Sequence, residues 1–312
     1  MTRFPRSLQL VIMTFTLTVL MIGACSSPRS ISTMTAGELL KTGMDLYNRH
    51  KYLRAIEHFQ ACVYNYPGDM AVDTAQYYLA LSYFGNEEYE VAQVEFNRLV
   101  LNYPASPFFE HAIFMRAVCY YESTPKDPGM DQTELNTAIR QFEDFIIDFP
   151  DSEVLPDVQK YLHAALDRLA RKDYTAGLVY SRMGAFESAK IYFQKVIDDY
   201  TESEYAVQAL YDIARMEYKQ KNYSEARVQF QNFVAVYPEN KFVPKALKMI
   251  EKSAFEDAKK AFKEAQPEAR EKLDAFLKDF PESNHVDAIR KYLGELADSQ
   301  PAPVEAEETV GT

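Results

Sequence analysis

Hydrophobic and small residues recur along this chain in a fixed frame. Five segments carry an alanine, a phenylalanine four residues later and a proline, or threonine in its slot, twelve residues after the alanine. They are Ala55, Phe59 and Pro67; Ala92, Phe96 and Pro104; Ala138, Phe142 and Pro150; Ala189, Phe193 and Thr201; Ala226, Phe230 and Pro238. An aromatic residue precedes each proline slot, at Tyr66, Tyr103, Phe149, Tyr200 and Tyr237. Another recurs about one helical turn before the alanine, at Tyr52, Tyr89, Phe186 and Tyr223. A small residue opens each unit, at Gly43, Ala80, Ala117, Gly177 and Ala214. Such spacings place the marked residues on one face of a helix. Proline cannot continue a helix and biases its predecessor away from helical geometry, so each aromatic–Pro pair ends a second helix. Ser106, Ser152, Ser203, Asn240 and Ser283 follow as N-cap candidates, each with a side-chain oxygen able to accept from the first free N–H groups.

The frame resembles the tetratricopeptide repeat, in which small residues let two antiparallel helices approach and an aromatic packs into the next unit. It predicts an all-α fold: a tetratricopeptide-repeat superhelix of about five helix pairs plus extra C-terminal helices. The period from Ala55 to Ala92, and from Ala189 to Ala226, is 37 residues. Two connections are longer. The third unit carries a Pro/Gly/Asp-rich loop, STPKDPGMDQTE, between its helices. Leu155 to Arg182 reads as one long amphipathic helix, weakly interrupted at Gly177. A sixth, less regular unit covers Ala254 to Pro281, and a final helix lies near Val286 to Leu296. The expected organisation is repeats one to three over 36–153, repeats four and five over 154–243, irregular helices over 244–298 and a Pro- and Glu-rich disordered tail over 299–312.

Residues 1–24 read differently. Arg3 and Arg6 supply a positive start, Leu8 to Met21 an apolar stretch, and Ile22-Gly23-Ala24 leads into Cys25. The apolar stretch is short for a bilayer span and reads as an export signal. Small residues before a cysteine resemble the bacterial lipobox, which implies cleavage before Cys25 and its lipidation. Several acyl chains anchor stably where one is marginal. Ser26 resembles an outer-membrane sorting signal, and residues 25–35 form a tether. Loss of Arg3 and Arg6 would leave 32 Lys+Arg against 46 Asp+Glu, a net charge of −14.

The whole chain has a net charge of −12, which argues against a nucleic-acid role, since phosphate binding needs clustered Lys and Arg. Hydrophobic residues make up 47% and glycine only 10 positions, consistent with a helical core. Cys62 and Cys119 fall in apolar helical patterns and read as small buried residues rather than a disulfide framework. No Gly-rich phosphate loop or nucleophile elbow is present. His50, His58, His111, His163 and His285 are scattered, without the four-residue spacing that puts two ligands on one helix face. No catalytic residues, metal or cofactor are expected.

The lipobox, the five repeats, and the stretch Asp167-Arg168-Leu169-Ala170-Arg171-Lys172-Asp173-Tyr174 followed by Tyr180-Ser181-Arg182-Met183-Gly184-Ala185-Phe186 resemble the BamD family, the repeat lipoproteins of the outer-membrane β-barrel assembly machine. The resemblance covers roughly residues 10–245; the stretch from Lys245 onward departs from it and is longer than the family pattern. It implies a non-enzymatic scaffold, lipid-anchored at the periplasmic face of the outer membrane. The implied partners are a BamA-like barrel subunit, other assembly-machine lipoproteins and unfolded outer-membrane proteins. On the 37-residue frame, Tyr47, Tyr77, Phe84, Phe114 and Tyr121 fall on the inner side of the first three repeats, as a candidate groove for an extended apolar segment or as packing between repeats. Tyr192, Lys195 and Asp199 share a face of the fourth repeat's second helix and are candidates for the barrel-subunit contact; the same face could equally be solvated. A competing reading is a periplasmic repeat adaptor of another envelope system, Tol–Pal or polysaccharide or peptidoglycan export. Against the Tol–Pal reading stand the lipobox and a first repeat that begins about ten residues after Cys25.

Overall fold

The computed structural model describes residues 30–299. The signal segment, Cys25 and the tail from residue 300 lie outside the described residues. Among the described residues, thirteen α-helices follow a short 3-10 turn and there is no strand. The helices are α1 (Ala36–Asn48), α2 (Tyr52–Asn65), α3 (Val72–Gly85), α4 (Tyr89–Asn102), α5 (Phe109–Ser123), α6 (Thr133–Asp148), α7 (Leu155–Arg182), α8 (Phe186–Asp199), α9 (Glu204–Lys219), α10 (Tyr223–Val236), α11 (Val243–Lys263), α12 (Ala269–Asp279) and α13 (Val286–Ser299). The chain divides into two compact units. Of the described residues, the first holds 30–123 with Arg140–Val158; the second holds Thr124–Ile139 and 159–299.

The frame sets the packing. Ala55, Ala92, Ala138, Ala189 and Ala226 are fully buried, and so are Phe59, Phe96, Phe142, Phe193 and Phe230. The small residues of the first helices face those rings. A Cβ on Gly43 would come within 2.6 Å of Phe59, and one on Gly177 within 2.6 Å of Phe193. Gly177 therefore does not interrupt α7, whose ends agree with the predicted 155–182; it clears space for the ring of α8.

The turn from first to second helix repeats in five of the pairs. His50, Glu87, Gly184, Lys221 and Ala265 all have positive φ, between 49° and 78°. The next residue reaches back five positions: Lys51 N–H to Leu46 O at 2.9 Å, Glu88 to Tyr83 at 3.0 Å, Ala185 to Tyr180 at 3.0 Å, Asn222 to Glu217 at 3.0 Å and Gln266 to Ala261 at 2.9 Å. This is a Schellman closure, which satisfies the orphan carbonyls at the end of the first helix.

The predicted N-cap residues act slightly outside their helices. Ser106, Ser152, Ser203, Asn240 and Ser283 each accept from the N–H two residues on, at 3.2, 3.4, 3.2, 2.9 and 3.1 Å. Only Ser203 adjoins its helix; the others cap a preceding turn. Three of these hydroxyls also bolt neighbouring repeats together. Ser106 donates to Asp73 (2.9 Å), Ser152 to Glu110 (2.6 Å) and Ser283 to Glu251 (2.5 Å).

The irregular C-terminal stretch obeys the frame more closely than expected. Ala269 stands twelve residues before Pro281, Leu273 fills the phenylalanine slot, and both are buried. Ala258 precedes the left-handed Ala265 by seven residues, as Gly43 precedes His50. α11 and α12 are thus a sixth pair. Its turn is one residue shorter, because Ala265 to Ala269 is four where His50 to Ala55 is five. The long loop of the third repeat is ordered around buried Gln132, whose Nε2 lies 3.2 Å from both the Pro125 and Asp127 carbonyls.

Candidate partner-binding surfaces

The block that carried the family resemblance lies on α7 and the start of α8, and it organises the second unit. Arg168 donates to the carbonyls of Thr124 (2.9 Å) and Pro125 (3.1 Å), pinning the long loop to α7. Asp173 is buried and accepts from Lys195 of α8 at 2.7 Å and from the Tyr200 hydroxyl at 3.4 Å. Tyr174 points across to α9, where its hydroxyl donates to buried Asp212 at 2.6 Å. Arg215, one turn along α9, pairs with the same carboxylate. Burial, then the bond to Asp212, pushes the Tyr174 phenol far above its ordinary value. A further charged tie joins Lys190 of α8 to buried Glu217 of α9 at 2.7 Å, and Asn222 donates to the other Glu217 oxygen at 2.8 Å.

The predicted partner residues sit at the edge of this network. Tyr192 stacks on Tyr180 with ring centroids 5.1 Å apart. Lys195 is half exposed while its carboxylate partner is buried, so the pair presents an ammonium at the surface and hides the acid. Asp199 is exposed on the same side of α8. Ile191, beside Tyr192 in the chain, is 69% exposed.

The five predicted groove aromatics divide by burial. Tyr77 and Phe114 are buried: Tyr77 stacks on Phe108 at 4.5 Å, and Phe114 packs on Phe142 at 6.3 Å. Tyr47, Phe84 and Tyr121 are half-buried. Tyr47 meets Tyr52 and Tyr78, and Phe84 meets Tyr89 across its own turn. The first two rings thus join helices, and the last three leave part of their surface to solvent.

Sequence reasoning missed Asp212, Arg215 and Glu217. Carboxylates on helices are usually solvated, so no local signal marked these. The available signal lay in the frame: Asp212 and Glu217 fall on buried positions of α9, which Met115 and Tyr120 occupy in the third repeat, 97 residues earlier. Cys62 and Cys119 are buried thiols, raised by burial to about 11 and about 12, which makes them poor nucleophiles. Among the described residues no cluster of His, Cys, Asp and Glu could hold a metal, and no helix is long and apolar enough to cross a membrane.

Paired helices with Ala/Phe contacts, Schellman turns and bolts between repeats define a helical-repeat scaffold of the tetratricopeptide kind, built to present surfaces rather than to enclose a reaction. Within that class the chain belongs to the YfiO family of outer membrane lipoproteins, whose family model matches residues 32–211 and 174–301. It is a non-enzymatic scaffold associated with the outer membrane. It is similar to the outer membrane protein assembly factor BamD of Rickettsia prowazekii, with 27% identity over 233 residues, covering 74% of this chain and 92% of that one. The BamD of Caulobacter vibrioides is 23% identical over 190 residues, covering 61% of this chain and 62% of that protein. Among solved structures, the TPR2AB-domain–pHSP90 complex of yeast Sti1 is 15% identical, covers 84% of this chain and 98% of that one, and has a TM-score of 0.40.

Proposed function

We propose that this chain is an outer-membrane protein assembly factor, lipid-anchored through Cys25 at the periplasmic face. The observation that carries the reading is the family match across nearly all described residues, together with a relative named as such a factor and matched over 92% of its length. In this role the second unit holds a BamA-like barrel subunit. Tyr192, Lys195 and Asp199 lie on one side of α8 beside the Asp173 network, which fixes the lysine in place. Companion assembly-machine lipoproteins dock elsewhere on the repeats. The first unit receives unfolded outer-membrane proteins: Tyr47, Phe84 and Tyr121 offer half-exposed ring surface to an extended apolar segment, over a floor stiffened by Tyr77 and Phe114. The test is a gentle detergent pull-down of the tagged, lipidated protein from outer membranes. Recovery of the barrel subunit in near-equal amount is the expected result. Recovery of Tol–Pal or export components without it would overturn the reading.

A further inference from the structure

The second unit contains a cleft that the network on α7 does not use. It lies between α8 and α10, the second helices of the fourth and fifth repeats, over a floor from α9. Its volume is about 290 Å³. That is at the small end of the roughly 300–1,000 Å³ of small-molecule sites, a size for a side chain rather than a cofactor. Leu210, Ile213 and Phe233 make the apolar floor, and Val236, 66% exposed, makes one lip.

The rim is made of carboxamides in a set orientation. Gln194 Nε2 donates to Asp198 (2.8 Å) and Gln229 Nε2 donates to Glu225 (2.8 Å), so each amide is held by its nitrogen. The Gln229 oxygen, Oε1, is buried and accepts from no group among the described residues. A buried acceptor without a donor costs free energy unless a partner supplies one. The two rim amides are each held by a carboxylate, Asp198 and Glu225, while Lys195 on α8 is already paired with Asp173. The local field favours a cationic neighbour. On α8, exposed Ile191 stands three residues before the rim residue Gln194 and one before Tyr192, so the cleft and the proposed partner face share one helix.

We propose that this cleft is an anchor pocket for one aliphatic or aromatic side chain of the barrel subunit's periplasmic domains. The anchor sits on a segment whose free N–H donates to Gln229 Oε1 once that amide turns into the cleft, and which carries a basic residue beside it. The inference rests on the barrel subunit being the partner of the second unit. An apolar side chain removes Leu210, Ile213 and Val236 from water, the N–H satisfies the orphan oxygen, and the basic residue meets Asp198 and Glu225. Central, desolvated anchors of this kind carry most of the affinity of an interface.

The test measures binding of the full mature chain to the purified periplasmic domains of the barrel subunit from the same cell. Val236→Lys is compared with Val228→Lys, which adds the same charge to the same helix at another exposed position. Val236→Lys is expected to weaken binding by at least ~10-fold, as loss of an anchor does, and Val228→Lys by less than ~2-fold. Gln229→Leu keeps the packing and removes the acceptor, so it should weaken binding several-fold while leaving thermal stability unchanged or higher. Wild-type binding that both Val236→Lys and Gln229→Leu retain would overturn the pocket alone. Absence of wild-type binding would overturn the partner reading, and the pocket with it.

Discussion

The second and fourth repeats, each with the helix that follows, are the same object displaced by 97 residues, from Ala92 to Ala189, with different polar chemistry. Tyr77 packs on Phe96 and stacks on Phe108; Tyr174 packs on Phe193 and Tyr205. Gln93 donates to the Tyr120 hydroxyl at 2.6 Å where Lys190 donates to Glu217 at 2.7 Å. Met115 stands where Asp212 accepts from Tyr174, and Gln76 stands where Asp173 accepts from Lys195. Rings and small residues thus carry the repeat, and a separate polar layer differentiates one copy from another. The second repeat buries one carboxylate, Glu95, which pairs with Arg98 of its own helix; in the fourth and fifth repeats buried Asp173, Asp212 and Glu217 tie three helices together, at the position where the partner surface is proposed. Such networks are strongly destabilising to break from one side, because the remaining group is stranded.

The largest expected effect comes from removing that difference. Asp212→Met gives the fifth repeat the residue of the third, and leaves the Tyr174 hydroxyl and Arg215 without their acceptor. It should cost about 2–3 kcal/mol in urea unfolding, read by a probe in the second unit. A cost below ~0.5 kcal/mol would mean that the acid is dispensable and the comparison superficial.

The shared layer predicts equal costs instead. Gly43→Ala and Gly177→Ala each drive a Cβ to 2.6 Å from a phenylalanine ring, one in each unit. Overpacking of this kind costs ~1–3 kcal/mol, and alanine's helix propensity returns up to ~1. Each variant should lose about 1–2 kcal/mol, and the two losses should match. A large inequality would show that the two frames are packed differently.

Much of this frame was legible in the sequence, because rings, alanines and prolines at constant spacing have few alternative uses. The ends of α7 agreed with the reading, and the buried Ala and Phe positions followed from it. Three features were hidden for physical reasons. The left-handed turn position is glycine only at Gly184; His50, Glu87, Lys221 and Ala265 hold it by tertiary context and carry no compositional mark. The sixth unit was read as irregular, and its fit to the frame was obscured by Leu273 in the ring slot and by a turn one residue short. The acid network was hidden because Asp212 and Glu217 look like ordinary surface carboxylates until their frame position is considered.

Alkaline titration should separate the units next. Burial first, then the charges of Asp173 and Asp199, raise the Tyr200 phenol from 10.0 to about 12. Its counterpart Tyr103 is raised by burial and Asp73. A folded-state value above the unfolded one means that the native state holds its proton longer. The associated stability is complete below pH 10 and is lost as pH rises toward 12. Tyr200→Phe should flatten the fall in stability over that window by up to ~1 kcal/mol, discounted because solvent reaches the half-exposed ring. A wild-type stability that does not fall between pH 10 and pH 12 would contradict the raised value.

The smallest effect tests the turn that both units share. Glu87 and Lys221 hold φ of 63° and 65°, where a Cβ crowds the backbone at a cost of ~1–2 kcal/mol. Glycine relieves that strain but enlarges the unfolded ensemble, an opposing term of ~0.4–1 kcal/mol. Glu87→Gly and Lys221→Gly should therefore each raise stability by about 0.5 kcal/mol, equally in the two units. Gly184 reads the same turn from the other direction. Its φ is 78°, and a Cβ there would meet nothing within 4 Å. Gly184→Ala thus isolates the backbone penalty from any packing change, and should lose about what the other two gain. If Gly184→Ala were neutral, the left-handed residues would be held without strain. The Schellman closure would then be a consequence of helix packing rather than a condition for it.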